Sequence, residues 1–595
     1  MAASTIPLPI RHHNDRNPCS FLLVGSPADR DPQAAQVALM GRLAHHGART
    51  TVLPGFFPAA WQLPLWSAHT IGPMRFFRLL PSVLLAVLVC GCALPPLEGR
   101  SNSAAMPAST TVRTPLGLAA AHLRAQEQAP AQVTGITPLD SPREAFAARH
   151  FLARSAVQTL DVQYYIWRPD TSGLMLLGDL LAAADRGVRV RLLLDDGGTG
   201  GMDTVLHTLD THPNIEVRLF NPFVLRWPKV LGYLFDFQRT NRRMHNKSFT
   251  ADNQASIVGG RNIGNEYFGS PQGVLFADLD VLTLGPAVQD ISQDFDRYWA
   301  SASAYPIGEI VTVPYHLTMT GLRQRIQAKA DSAEGQRYQQ ALAGSRLLQD
   351  LAQQDLNLLW APTHLVSDDP AKVLGQAHEK QLIGAQLAAV IGNPTQSVDL
   401  VSPYFVPTQA GVDALAQMRE QGIRIRVLTN ALEATDVSIV HAGYARYRVP
   451  LLRMGVDLYE LRRQAPPQPP RPLHERVKRR WLLAGSGTSL HAKTFAIDGQ
   501  RAFVGSFNFD PRSMLLNTEM GLMIESPTLA QQISNAFEQE IPWRSYRLGL
   551  DAQEHLQWEV PPPGSGTIYR QEPNTGWFKR WGLWLLQRLP LEPLL

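Results

Sequence analysis

Two long stretches of the chain repeat one pattern of apolar and polar positions. "LDVQYYIWRPDTSG" (Leu160 to Gly173) parallels "VDLVSPYFVPTQAG" (Val398 to Gly411). "DRGVRVRLLLDD" (Asp185 to Asp196) parallels "EQGIRIRVLTN" (Glu420 to Asn430), and "IEVRLF" (Ile215 to Phe220) parallels "VDLYEL" (Val456 to Leu461). Each half therefore reads strand, helix, strand, helix, strand, then a hairpin. Alternating strands and helices imply sheets covered by helices. In the last hairpin, strand alternation puts His491, Lys493 and Phe495 on one face and Ala492, Thr494 and Ala496 on the other. A buried core face has no use for an imidazole beside an ammonium, because burying the charge is expensive. The pair is expected at a cleft.

The other half carries the same set. His245, Lys247 and Asp252 are followed after six residues by Gly259, Gly260 and Asn262. His491, Lys493 and Asp498 are followed after six residues by Gly505, Ser506 and Asn508. One H-x-K-x4-D match arises by chance in on the order of one chain of this length in a few dozen, at ordinary residue frequencies. Two matches with the same tail at the same offset are not chance.

Paired motifs of this form resemble the phospholipase D superfamily, over roughly residues 140 to 545. "LDVQYYIW", "RRMHNKSF", "VGGRNIGNEYFG", "SPYFVPT", "HAGYAR" and "GSFNFDPRSMLLNTEMG" are similar to the bacterial cardiolipin synthase C type. The resemblance implies an α/β fold of two homologous phospholipase D-type halves, related by a pseudo-twofold axis, with the active site at their interface. It implies a phosphohistidine on His245, with His491 protonating the departing oxygen and then deprotonating the incoming alcohol. The order of the two histidines is not readable from the residues alone. Lys247 and Lys493 would neutralise the non-bridging oxygens, and Asn262 and Asn508 would donate hydrogen bonds to them, with Ser506 as a further donor. Gly260, at the position of Ser506, has no hydroxyl to give. Asp252 and Asp498, marked by the motif, fall at hairpin turns and read as structural partners. Asp280 in "ADLDV" and Glu519 in "NTEMG" are candidates to hold a histidine tautomer, because a base needs an orienting acid. Ordinary strand-edge carboxylates would look the same.

Tyr164, Tyr165 and Trp167 follow the first strand of one half, and Tyr404 and Phe405 follow its equivalent. Ligands of open α/β sheets bind at the carboxyl ends of strands, so these aromatics are headgroup-pocket candidates. Plain core packing accounts for them equally well. Hydrophobic content of 45%, charged content of 18% and a net charge of +4 suit a globular protein without the dominant basic charge of a nucleic-acid binder. The three cysteines, Cys19, Cys90 and Cys92, lie outside the repeat, which removes disulfides and thiolate metal sites from its chemistry. No histidine spacing suggests a metal, and no cofactor is expected.

"MRFFRLLPSVLLAVLVCGC" from Met74 resembles a bacterial lipoprotein signal with Cys92 as the lipidated residue. The expected organisation is an upstream leader at 1–73 that precedes the true start, a signal at 74–91, and an Ala/Pro/Thr/Ser-rich tether at 92–138. The halves follow at 139–315 and 396–560, joined by 316–395, with a tail at 561–595. A genuine extension followed by one membrane anchor is the alternative for the first segment. Asn221 to Phe237 and Arg462 to Trp481, each just before a motif, combine apolar or basic residues suited to anionic lipid, or to a solvated loop. The tail "GWFKRWGLWLLQRL" reads as an interfacial helix or as one docked on the protein's own core. These features point to a membrane-anchored protein of the bacterial envelope. The expected activity is a phosphatidyltransferase making cardiolipin from phosphatidylglycerol and a second phospholipid, with phosphatidylethanolamine as a candidate. A hydrolytic phospholipase D is the alternative. A nuclease is disfavoured by lipidation, the tryptophan tail and the modest charge, and no nucleic-acid partner is expected.

Overall fold

The computed structural model describes residues 94–226, 228–269, 275–313, 316–353, 355–464, 489–562, 564–590, 592 and 595. The leader, the lipoprotein signal with Cys92, and most of the basic segment from Arg462 to Trp481 lie outside them.

Among the described residues, each half builds one large sheet around the same centre. In the first, Thr159–Tyr164, Arg189–Asp195 and Ile215–Phe220 run parallel. Helices Thr171–Asp185 and Asp203–Asp210 make the crossovers. The hairpin Ser248–Ala251 and Ala255–Gly259 joins Thr159–Tyr164 antiparallel, and Asp280–Leu284 follows it. The second sheet repeats this order. Ser397–Val401, Arg424–Asn430 and Asp457–Leu461 are parallel; the hairpin Lys493–Ile497 and Arg501–Gly505 lies beside them, then Met520–Ile524. Central strands are buried on both faces; they carry apolar stretches such as Leu192 to Leu194, and their buried arginines Arg191 and Arg426 are paired with Asp161 and Asp399.

The two halves share a core. One buried cluster takes Ile136, Val258, Leu279 and Val281 from the first half and Leu490, Ala492, Val504 and Leu522 from the second. Near the site the halves also exchange backbone bonds reciprocally. His245 N donates to Thr518 O at 2.8 Å, and His491 N donates to Ala277 O at 2.8 Å. Leu490 pairs with Ala277 in a short parallel ladder, and Met244 bridges to Thr518. This reciprocity is the pseudo-twofold relation expected from the repeat.

Residues 94–138 are not a free tether. Arg100 donates to the carbonyls of Ser301 and Ala304, while Arg191 and Arg218 donate to those of Ser103 and Ser101. Thr114 caps helix Pro115–Gln126, which buries Leu116 and Leu123, and Thr134–Leu139 enters the first sheet. The Thr-Pro start is a helix signal that a count of Ala, Pro, Thr and Ser hides. The connecting segment belongs to both halves: Leu359–Ala361 pairs in the first sheet and Thr363–Ser367 in the second.

Candidate active site

Each motif sits at the start of its hairpin, where the chain leaves the other half. His245 and His491 are 7% and 5% exposed, and Lys247 and Lys493 less still. Such burial of four potential cations demands acids. His245 Nδ1 lies 2.7 Å from Glu519 of the second half, and His491 Nδ1 lies 2.5 Å from Asp278 of the first. Each histidine is thus held by a carboxylate across the interface, with Nε2 left for chemistry. Each lysine ammonium donates to the carbonyl of its own histidine.

Asp280 does not orient a histidine. Arg149 at 2.9 Å and Arg261 at 3.3 Å claim its carboxylate. Asp278 and Asp280 are two residues apart, so strand parity cannot choose between them. The repeat does choose. Gly259 pairs with Asp280 and Gly505 with Gly521, which makes Gly521 the counterpart of Asp280 and Glu519 that of Asp278. Aligning "DLDVLTL" on "EMGLMIE" by their apolar runs would have found it.

The Gly-Gly and Gly-Ser tails have a packing reason. A Cβ at Gly260 would lie 2.2 Å from the Asp278 carboxylate, and one at Gly259 equally close to that of Asp280. In the second half the acid is one methylene longer, and Ser506 donates to Glu519 at 2.5 Å. Ser506 is therefore engaged with Glu519 rather than free for a phosphate. Ser513 donates to the other Glu519 oxygen at 2.9 Å. Asn262 is likewise committed: its oxygen accepts from Ile166 N and its amide donates to the Tyr267 hydroxyl. Asn508 Oδ1 has no partner among the described residues.

Asp252 and Asp498 sit at positive φ in the hairpin turns. Asp252 accepts from the backbone N–H groups of Val157, Gln158 and Thr159, and Asp498 from those of Thr395, Gln396 and Ser397. They tie each hairpin to its neighbouring strand and do not touch the histidines.

The candidate aromatics separate. Tyr164 is fully buried and accepts from Arg149, a core role. Tyr165, pointing the other way, meets the His245 ring edge-to-face, with the ring centres 5.1 Å apart. Tyr404 is half-buried and donates to Asp436 at 2.8 Å. Trp167 and Phe405 are buried. Tyr267 and Phe276 lie against His491, at 5.2 and 4.9 Å, and were not foreseen because they fall between motif and acid.

The electrostatics are asymmetric. Burial, then Lys247 and Lys493, pushes His245 well below the ordinary histidine range. Burial lifts Glu519 to about 7, against the pull of Lys247 and Ser506. Burial and Lys493 lower His491, but Asp278 opposes them. Asp278 itself, lifted by burial, is held below the ordinary carboxylate range by His491, Lys493 and Arg261. Burial brings Lys493 down to about 8 and Lys247 well below its usual value. A crowded cationic pocket of this kind is relieved when an anion enters it.

The sequence matches the family described as "Cardiolipin synthase, PLD-like domain" over residues 151–299 and 387–541. The chain belongs to this family. It is 48% identical to cardiolipin synthase C of Escherichia coli (strain K12) over 80% of its own length and 99% of that protein's. It is 30% identical to an uncharacterized protein of Helicobacter pylori (strain J99) over 74% of its length and 86% of that protein's. A solved phosphatidylserine synthase of Haemophilus influenzae Rd KW20 is similar at TM-score 0.49 and 13% identity, covering 80% of this chain and all of that one.

Proposed function

We propose that this family member is a phosphatidyltransferase that makes cardiolipin at a membrane surface, through a phosphohistidine on His245. The observation that carries the reading is the pair of histidines, each held by a carboxylate of the other half, above two buried lysines. The name of the Escherichia coli relative supports the product.

The asymmetry supports one division of the roles. With Nδ1–H donated to ionised Glu519, His245 keeps the Nε2 lone pair, and its low proton affinity keeps it neutral. Nε2 attacks phosphorus and the bond from phosphorus to the headgroup oxygen breaks. His491, whose proton Asp278 stabilises, gives that proton to the departing alcohol. A phosphatidylglycerol hydroxyl then enters, His491 takes its proton, the oxygen attacks phosphorus, and the P–N bond breaks. Lys247 and Lys493 balance the charge growing on the non-bridging oxygens.

Transfer competes with water at about 55 M in bulk, so the cleft must exclude it. The buried histidines and the rings of Tyr165, Tyr267 and Phe276 over them suit that task. Among the described residues no helix is long and apolar enough to cross a membrane. Exposed apolar residues support surface attachment instead. Helix Lys229–Phe235 shows Val230, Leu234 and Phe235 to solvent. Helix Trp577–Leu586 docks through Leu583 on Leu432 and Ala442, and exposes Trp577, Phe578, Trp581 and Trp584.

The test is purified protein on phosphatidylglycerol vesicles, with and without phosphatidylethanolamine. Cardiolipin should exceed phosphatidic acid, and acid-labile phosphatidyl label should map to His245. Mainly phosphatidic acid would favour a hydrolase, and label on His491 would reverse the roles.

A further inference from the structure

The phosphate chemistry leaves one acidic group at the site unexplained. Asp436 is exposed in the loop after Arg424–Asn430, and no Lys or Arg pairs with it among the described residues. That loop begins beside His491. The Asn430 amide donates to Leu490 O at 3.0 Å and accepts from Leu490 N at 2.8 Å, one residue before the histidine. Tyr404, from the carboxyl end of Ser397–Val401, donates its hydroxyl to Asp436 Oδ2 at 2.8 Å. The charge reaches the site: Asp436 opposes the lowering of both His491 and Lys493. Among the described residues the first half has no open counterpart at the same end of its sheet. There Asp196 is buried and neutralised by Arg226 and Lys229.

A carboxylate near a phosphate pocket repels the substrate's own charge. That repulsion is offset in substrate binding when another part of the substrate donates hydrogen bonds to the carboxylate. The part that reaches His491 is the alcohol, first leaving and then arriving. We infer that Asp436, held by Tyr404, binds the hydrogen-bond-donating end of the alcohol headgroup, a hydroxyl or an ammonium. The inference rests on the phosphatidyltransferase reading. It orients the substrate, with the headgroup toward Asp436 and the diacylglycerol toward the Tyr165 side.

The test compares the parent protein with Asp436→Asn, Asp436→Glu and Tyr404→Phe. On phosphatidylglycerol vesicles, glycerol release reports the hydroxyl. On mixed vesicles with phosphatidylethanolamine, ethanolamine release reports the ammonium. Asp436→Asn should raise KM about tenfold, as loss of a charge-assisted hydrogen bond implies, with a smaller change in kcat. Asp436→Glu should recover part of the loss, and Tyr404→Phe should act in the same direction more weakly. A larger KM effect on ethanolamine release assigns the ammonium; an equal or larger effect on glycerol release assigns the hydroxyl. If Asp436→Asn does not fold, Tyr404→Phe bears the same comparison. KM within about twofold of the parent in both arms overturns the subsite alone. A parent protein that releases neither alcohol overturns the transferase reading and the subsite with it.

Discussion

Glu519 and Asp278 do the same job in mirrored places, yet they differ in proton affinity: burial lifts both, and only Asp278 is pulled back below the ordinary range, by His491, Lys493 and Arg261. Glu519 is lifted to about 7, so it gains its charge as pH rises through neutrality. The ionised form is the stronger acceptor for Nδ1–H and cannot instead donate to Nδ1, so it favours the tautomer that leaves Nε2 of His245 with its lone pair. Activity should therefore climb with pH through about 7. Glu519→Gln removes the titrating group, so that climb should vanish, and kcat should fall by roughly 10²–10⁴, the scale for losing the acid that orients a catalytic histidine. On the other limb, Asp278 opposes the lowering of His491. Asp278→Asn takes that support away, His491 loses its proton at lower pH, and the falling limb should move acidward. A pH–rate profile of the two variants separates them; identical displacements of one limb would show that the histidines are not distinguished. The Asp278 assignment also shows what the residues disclose. Histidine, lysine and turn aspartate are legible because their spacing is fixed by one hairpin. The orienting acids are not, because they come from the other half, and parity alone admits Asp280 as readily as Asp278.

At the scale of elements, the repeat was readable wherever packing imposes a period. The parallel strands and the motif hairpin follow the expected order in both halves, since buried strands need apolar runs and the turns need residues such as Asp252 that tolerate positive φ. Composition misled where no period was sought, as in the segment that became helix Pro115–Gln126 and strand Thr134–Leu139. Helix Lys229–Phe235 is the opposite case. Its Val230, Leu234 and Phe235 are 63%, 72% and 82% exposed, so they add little to folding. If they rest in lipid, replacing all three by Ser should weaken vesicle binding at least about tenfold, since each buried apolar side chain contributes roughly 1.5–3 kcal/mol. Thermal stability should change by no more than about 0.5 kcal/mol, as for other exposed positions. Co-sedimentation with anionic vesicles and a melting curve measure both. Unchanged binding would remove this helix from the membrane face.

The whole molecule depends on the seam between its halves, because neither half can complete its own site. Each histidine takes its acid from the other half, and each motif backbone bonds across the seam. The apolar counterpart of that exchange is the shared cluster, in which Leu279 stands between Asp278 and Asp280 and is 2% exposed. Leu279→Ala should cost about 2–5 kcal/mol, the usual range for a buried leucine, because the cavity opens against both sheets. If the seam makes the halves one cooperative unit, the loss appears as a single transition moved to lower denaturant. Tryptophan fluorescence and residual activity should then share one midpoint, although Trp167 and Trp299 lie in the first half and Trp558 in the second. Two separated transitions, with activity following only the earlier one, would mean that each half is stable alone and that the seam governs catalysis without governing the fold.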